Sequence, residues 1–236
     1  MKNVASIRIF GSSARGDSDL SSDMDLLVVY KHAPLDSERK RVLGEVSGVI
    51  GRNIDLSEYS SERIRQFFYN GDLFSWHLFQ ESKKIIFIDN DLIDDLGRPA
   101  PYSNTKEDIC SFITLLKSIP NNLIQYPESC VFEGGLLYLA TRNIAMSLSW
   151  HLDGHVDFSR HAALNVTERL DQKFPISVFD YNELINCRHA SQRGAVLPSI
   201  SPVKLAAIAV KLVDWSTELQ SLIHTRRIEG SYANTV

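Results

Sequence analysis

The stretch from Phe10 to Val29, FGSSARGDSDLSSDMDLLVV, constrains this chain more than any other. It begins as the end of the apolar run VASIRIF, passes through glycine and serines, and closes on Asp23 and Asp25 at the head of a second apolar run. That pattern predicts a strand, a turn into a helix start, a loop and a second strand. Side chains alternate along an extended strand, so Asp23 and Asp25 project to one side while Met24 and Leu26 go to the other. Two carboxylates aimed at one point repel each other unless a cation neutralises them. Hard divalent ions, Mg²⁺ above all, take carboxylate oxygens and hold phosphates with their remaining positions. Upstream, Gly11 lets the backbone turn close to a ligand, and Ser12 offers a hydroxyl and an N–H at a helix start, where phosphate is favoured. One short segment therefore has the parts to hold both a triphosphate and its metal ions.

The arrangement apolar-Gly11-Ser12, ten residues, Asp23-apolar-Asp25-apolar, with Arg15-Gly16 inside and Ser22 just before the first acid, resembles the nucleotidyltransferase signature of the DNA polymerase beta superfamily. It is most similar to the bacterial branch of minimal and antibiotic nucleotidyltransferases. The resemblance covers about the first ninety residues and implies transfer of a nucleoside monophosphate from an NTP or dNTP to a hydroxyl, with release of pyrophosphate. It implies two Mg²⁺ or Mn²⁺ ions on Asp23, Asp25 and a third carboxylate from the strand after the first long helix. Asp55, central in Asn53-Ile54-Asp55-Leu56-Ser57, occupies that place; there it would share a metal and take the proton of the incoming hydroxyl. Gly11 and Ser12 would cradle the β- and γ-phosphates, with Ser22 alongside. Arg15 could reach a phosphate bidentately, or pair with Asp17 or Asp19.

Around this motif, Asp36 to about Gly48 reads as a helix with Val42, Val46 and Val49 on one stripe, Ser60-Ser61-Glu62 opens another, and LFSWHLFQE (Leu73–Glu81) forms a third. Lys84 to Ile88 is predicted as the last strand. Arg8 is expected to be solvated. Trp76, His77 and Phe79 suggest a base-stacking patch, but at helical spacing they are expected in the core. Lys83 and Lys84 stand near the expected site.

Two prolines in Gly97-Arg98-Pro99-Ala100-Pro101 mark a boundary. Beyond it the pattern is helical, with segments near 106–118, 132–152, 161–170, 177–189 and 203–224, the second apolar enough to be the spine of a bundle. The expected fold is an α/β (α+β) nucleotidyltransferase domain with a small mixed sheet, residues 1–98, followed by an all-α helical bundle, residues 99–228. The polar tail, 229–236, is expected to be disordered, although Tyr232 there is a conceivable nucleotide acceptor, as a self-modified residue or a primer.

Composition limits the partners. The net charge of −4 argues against a broadly basic, nucleic-acid-coating surface. Cys110, Cys130 and Cys187 form neither a zinc motif nor a disulfide framework. Without an apolar run of membrane-spanning length or a signal-peptide profile, a cytoplasmic protein is expected. Helical domains of this family shape the acceptor pocket, and some resemble HEPN bundles. No arginine in this half has a histidine five residues on, so no HEPN ribonuclease is expected. Arg142, Arg160, His161, Arg188, His189, Arg193, Arg226 and Arg227 read as solvated faces.

The acceptor stays open at this level. The resemblance implies a partner protein encoded nearby, as in toxin–antitoxin pairs, a nucleotide or short oligonucleotide end, as in phage defence, or an antibiotic. The last would need an acidic pocket, for which Glu128, Glu133, Asp153 and Asp157 are candidates. A retired, nucleotide-sensing or partner-binding module is the non-enzymatic alternative, disfavoured by the presence of all three acids. The helical domain could also pair into a homo-oligomer.

Overall fold

The computed structural model describes residues 2–16, 23–50, 54–86, 90–194 and 196–230. Ser22 and Tyr232, together with Asp17 and Asp19, lie outside the described residues. The chain divides into two compact units, one ending at Ser103 and the other beginning at Asn104.

The first unit is built on a four-stranded mixed sheet. Strands β1 (Val4–Phe10), β2 (Met24–Tyr30), β3 (Ile54–Ser60) and β4 (Lys83–Lys84) lie in the order β3-β2-β1-β4. β1 is antiparallel to β2 and to β4, while β2 and β3 are parallel. A parallel pair needs a crossover, supplied by helix α2 (Asp36–Ile50). Strand alternation then divides the core in two. Leu26, Val28 and Tyr30 join Val4, Ile7, Val42 and Val46 under α2. Leu27 and Val29 meet Phe10, Ile64, Phe68, Leu78, Leu92 and Ile93 on the opposite face, which is covered by α3 (Ser61–Asn70), α4 (Leu73–Glu81) and α5 (Leu92–Leu96). A sheet covered on both sides explains why β2 reads as nearly continuous apolar sequence.

Local chemistry sets the helix ends. Ser60 caps α3 by accepting from the Arg63 amide, and Gly71 ends it in the left-handed region at φ +70°. A β-carbon at Gly71 would also run into the Ala100 carbonyl and lie 2.6 Å from that of Pro101. The proline-rich segment taken from sequence as the boundary is thus tied to the first unit. The Ala100 amide donates to the Phe68 carbonyl at 2.9 Å, and the Trp76 indole N–H donates to the Ala100 carbonyl at 3.0 Å. That is why the division falls at Ser103 and not at residue 98.

Two further expectations are revised, and one element is new. β4 is two residues long as described, residues 87–89 lying outside the description. Helix α5 has no counterpart in the sequence reading. Arg8, expected in solvent, is only 5% exposed: its guanidinium donates to Asp91 at 2.6 and 3.1 Å and also reaches Asp94. Asp91 in turn accepts from the Ser6 hydroxyl at 2.8 Å and caps α5 through the Ile93 and Asp94 amides. Lys84 pairs with Asp94, and that contact, reinforced by Arg8, lowers the Asp94 pKa. The network pins α5 to β1 and β4.

The second unit is helical: α6 (Thr105–Gln125), α7 (Cys130–Asp153), α8 (Ala162–Arg169), α9 (Val178–Arg193) and α10 (Pro202–Gly230), with a single 3₁₀ turn at Pro127–Ser129. α7 is the spine, in contact with α6, α8, α9 and α10. Buried residues lie all round it, including Leu137, Ala140, Ile144, Ala145 and Leu148, as expected of a helix without a polar face. Gly134 admits α9, since a β-carbon there would sit 2.7 Å from the Cys187 sulfur. α6 continues through Pro120, where the sequence suggested an end. Ile119 and Leu123, both buried, hold the last turns on the core and outweigh the lost backbone bond. The three cysteines are free thiols. Among the described residues, no helix is long and apolar enough to cross a membrane.

Two predictions follow from buried charge. Removing one partner of a buried ion pair strands the other, at about 3–5 kcal/mol. Asp91 has no side-chain exposure, so Arg8→Met is expected to lower urea-unfolding stability by about 3 kcal/mol. Glu133 on α7 is 4% exposed; one oxygen accepts from Asn122 at 3.1 Å and the other has no partner. Burial raises its pKa, with Asn122 opposing more weakly. The folded chain therefore holds this proton more tightly than the unfolded one, and stability falls as pH rises from the ordinary carboxylate range through the raised value. Glu133→Gln should melt like wild type in acid and above it at neutral pH, by thermal melts across that window.

Candidate functional site

The acids gather at one corner of the sheet because of register. Asp25 is the cross-strand partner of Phe10 on one side and of Asp55 on the other, so Phe10, Asp25 and Asp55 form a row across β1, β2 and β3. Paired residues on neighbouring strands share a face about 5 Å apart. Asp25, Leu27 and Val29 alternate onto the face covered by α3 to α5, and Asp55, Ser57 and Tyr59 accompany them. Asp25 is half-buried and Asp55 is exposed. Asp23 stands immediately before β2, also half-buried.

At the end of β1 the backbone leaves the sheet at Gly11, with φ +65°, into the short helix α1 (Gly11–Arg15). A β-carbon at Gly11 would collide with Oδ2 of Asp25 and lie 3.1 Å from its Cγ. Glycine is therefore required twice, by its dihedral and by the carboxylate above it. Ser12 follows, half-buried, and its carbonyl accepts from the Gly16 amide at 2.9 Å, closing the turn. Gly16 is itself left-handed, at φ +85°.

Arg15 is engaged where the sequence could not show it. Its Nη1 donates to Oε2 of Glu81 on α4 at 2.7 Å, with the two side chains 21% and 13% exposed. His77 Nε2 lies 2.9 Å from the same oxygen, and the His77 ring meets the Phe10 ring edge-on at 5.4 Å and 86°. Glu81 was missed by sequence reasoning. The signal present was the four-residue spacing of His77 and Glu81, which puts both on one face of a helix.

The other candidates fall away from the site. Trp76 is 2% exposed and belongs to the core, with Phe79 packed edge-on against it. Lys84 is committed to Asp94. In the helical unit, Arg142 donates to the carbonyls of Phe158 and Ser159 at 2.6 and 3.1 Å, binding a loop where a solvated face was expected. Asp157 accepts from the Ser159 amide at 2.8 Å and from Asn165 at 2.7 Å, and its pKa is lowered by these bonds against the cost of burial. Asp153 pairs with Arg169.

Hard oxygen donors side by side suit a divalent ion such as Mg²⁺. Among the described residues no three histidine, cysteine or carboxylate side chains form a ready cage. Asp25 and Asp55 are the pair that register brings together, and Asp23 precedes them.

Residues 1–90 match the family model described as Polymerase beta, Nucleotidyltransferase. No match was found among curated proteins. Among solved structures, the chain is similar to spectinomycin adenyltransferase AAD(9) from Enterococcus faecialis, crystallised with ATP and spectinomycin. That likeness has 12% identity and a TM-score of 0.50, over 93% of this chain and 92% of that one. It is also similar to a toxin-antitoxin crystallised with AMP-PNP, at 15% identity and a TM-score of 0.28, over 41% of this chain and 73% of that one. The first unit is a nucleotidyltransferase domain of the polymerase beta type. In this chain that domain is followed by a helical unit.

The Gly11 contact yields a direct test. Gly11→Ala forces the Asp25 carboxylate to move, and a displacement of about 1 Å at a reacting centre costs on the order of a hundredfold in rate. Nucleotidyl transfer by this variant is expected to fall by about that factor with the far-UV circular dichroism unchanged.

Proposed function

We propose that the protein transfers a nucleoside monophosphate from an NTP or dNTP to a hydroxyl acceptor. The observation that carries this reading is the row Phe10–Asp25–Asp55 with the Asp25 carboxylate seated over the vacant β-carbon position of Gly11. Asp23, Asp25 and Asp55 would hold divalent ions, Mg²⁺ or Mn²⁺, which when bound neutralise charge on the reacting phosphates. Gly11 leaves room for the β- and γ-phosphates, and Ser12 offers them its amide and hydroxyl. Arg15 and Ser22 lie on the same segment and would complete the phosphate contacts. The acceptor oxygen attacks the α-phosphorus as the α–β bridging P–O bond breaks and pyrophosphate leaves. The hydroxyl proton passes to Asp55.

For the acceptor we favour a hydroxyl on a partner protein or on a nucleotide or oligonucleotide end, as in toxin–antitoxin or phage-defence systems. Support comes from the helical unit. Of the four acids considered for an antibiotic pocket, Glu133 is buried, Asp153 is paired and Asp157 is spent on its own loop, which leaves the exposed Glu128. A small-molecule acceptor is the second reading, favoured by the two-part architecture shared along nearly the whole chain with a spectinomycin adenyltransferase.

The test is incubation of purified protein with each α-labelled NTP and dNTP and Mg²⁺ or Mn²⁺, alone, with spectinomycin, and with cell extract. Transfer in any arm is expected to vanish in Asp23→Ala and Asp25→Ala, which keep the fold. Label that persists in Asp23→Ala counts decisively against the scheme. Label on the chain itself that survives Tyr232→Phe excludes Tyr232 as the acceptor.

A further inference from the structure

We infer that Glu81 is the positioning residue of the nucleotide turn: its carboxylate holds the downstream end of the Gly11–Arg15 segment through Arg15. Downstream, that oxygen accepts from Arg15, the last residue of α1, at 2.7 Å. Upstream, it lies 2.9 Å from His77 Nε2, whose ring abuts Phe10, the residue before Gly11. The downstream end of the turn is thus bonded to Glu81, and the upstream end packs on the His77 ring of the same helix. α1 is five residues long, and an isolated helix of that length has no stability of its own. Its shape has to be imposed from outside, and Glu81 is a charged group that reaches its last residue.

The anchor is itself firmly based. α4 packs through Trp76 and Leu78, which are 2% and 0% exposed, and the Trp76 indole is bonded to the Ala100 carbonyl. Both Arg15 and Glu81 are mostly shielded from water, a setting in which a charge-assisted hydrogen bond keeps more of its strength than at an open surface. In consequence Glu81 sets where Arg15 stands, while touching no substrate. This inference rests on reading Gly11–Ser12 as the phosphate turn.

Hydrogen exchange and nucleotide binding on the full chain test it together. Peptides spanning residues 10–16 are expected to be protected in wild type, to exchange about tenfold faster in Glu81→Gln, and to recover part of their protection in Glu81→Asp. Peptides from residues 24–30 should not change. Affinity for ATP, and for inorganic tripolyphosphate as a base-free probe, both with Mg²⁺, is expected to weaken about tenfold in Glu81→Gln. Asp25→Asn, by contrast, should lose metal-dependent binding without loosening residues 10–16. If those residues are unprotected in wild type, or equally protected in Glu81→Gln, the inference is overturned. If wild type binds no nucleotide, the nucleotidyl-transfer reading falls, and the exchange comparison still decides whether Glu81 holds the turn.

Discussion

Bringing carboxylates together is the constraint on which the first unit depends. Like charges on adjacent strands oppose folding unless a cation meets them, so the sheet has to be stable on other grounds. It is, because β2 is sealed on both faces: Leu26, Leu27, Val28 and Val29 have no exposure. The acids occupy the end of the strands where that sealing stops, with Asp25 half-buried and Asp55 exposed. Apolar burial fixes the strands, the strands fix the register, and the register fixes the carboxylates.

The glycine turn answers the same constraint from the other side. A side chain at position 11 would displace Asp25, so the glycine turn and the Asp25 carboxylate are one packing problem and not two neighbouring features. The turn is too short to hold itself, and α4 meets it through the Glu81–Arg15 bond and the packing of His77 on Phe10. Elsewhere in the unit a similar device recurs with a structural purpose, where Asp91 gathers Arg8, Ser6 and the first amides of α5. In both places a buried carboxylate joins segments far apart in sequence.

Much of the fold was legible in the sequence because local physics dictates it. Alternation gave β1 and β2, the Ser60 cap and Gly71 gave α3, and the unbroken apolar character of 132–152 marked a helix buried all round. What escaped were features decided by neighbours. α6 runs on past Pro120 because its later residues are buried, and tertiary contact overrides a local breaker. Arg8 looks like a solvated alternation residue until Asp91, 83 positions away, is folded against it. The proline-rich segment reads as a linker, and only the bonds from Phe68 and Trp76 to Ala100 make it part of the first unit.

The candidate motif is legible in the sequence alone. A glycine-serine turn and an Asp-x-Asp spacing are legible as local pattern, and alternation along β2 puts Asp25 on the face of Leu27 and Val29. The strand register that sets Asp55 beside Asp25, what Arg15 leans on, and which acids of the helical unit are spent on structure were decided by tertiary folding. Those pairings run between segments tens of residues apart, Asp25 to Asp55, Arg15 to Glu81 and Asp153 to Arg169. No local periodicity records which distant side chain the packing of a core will bring within reach.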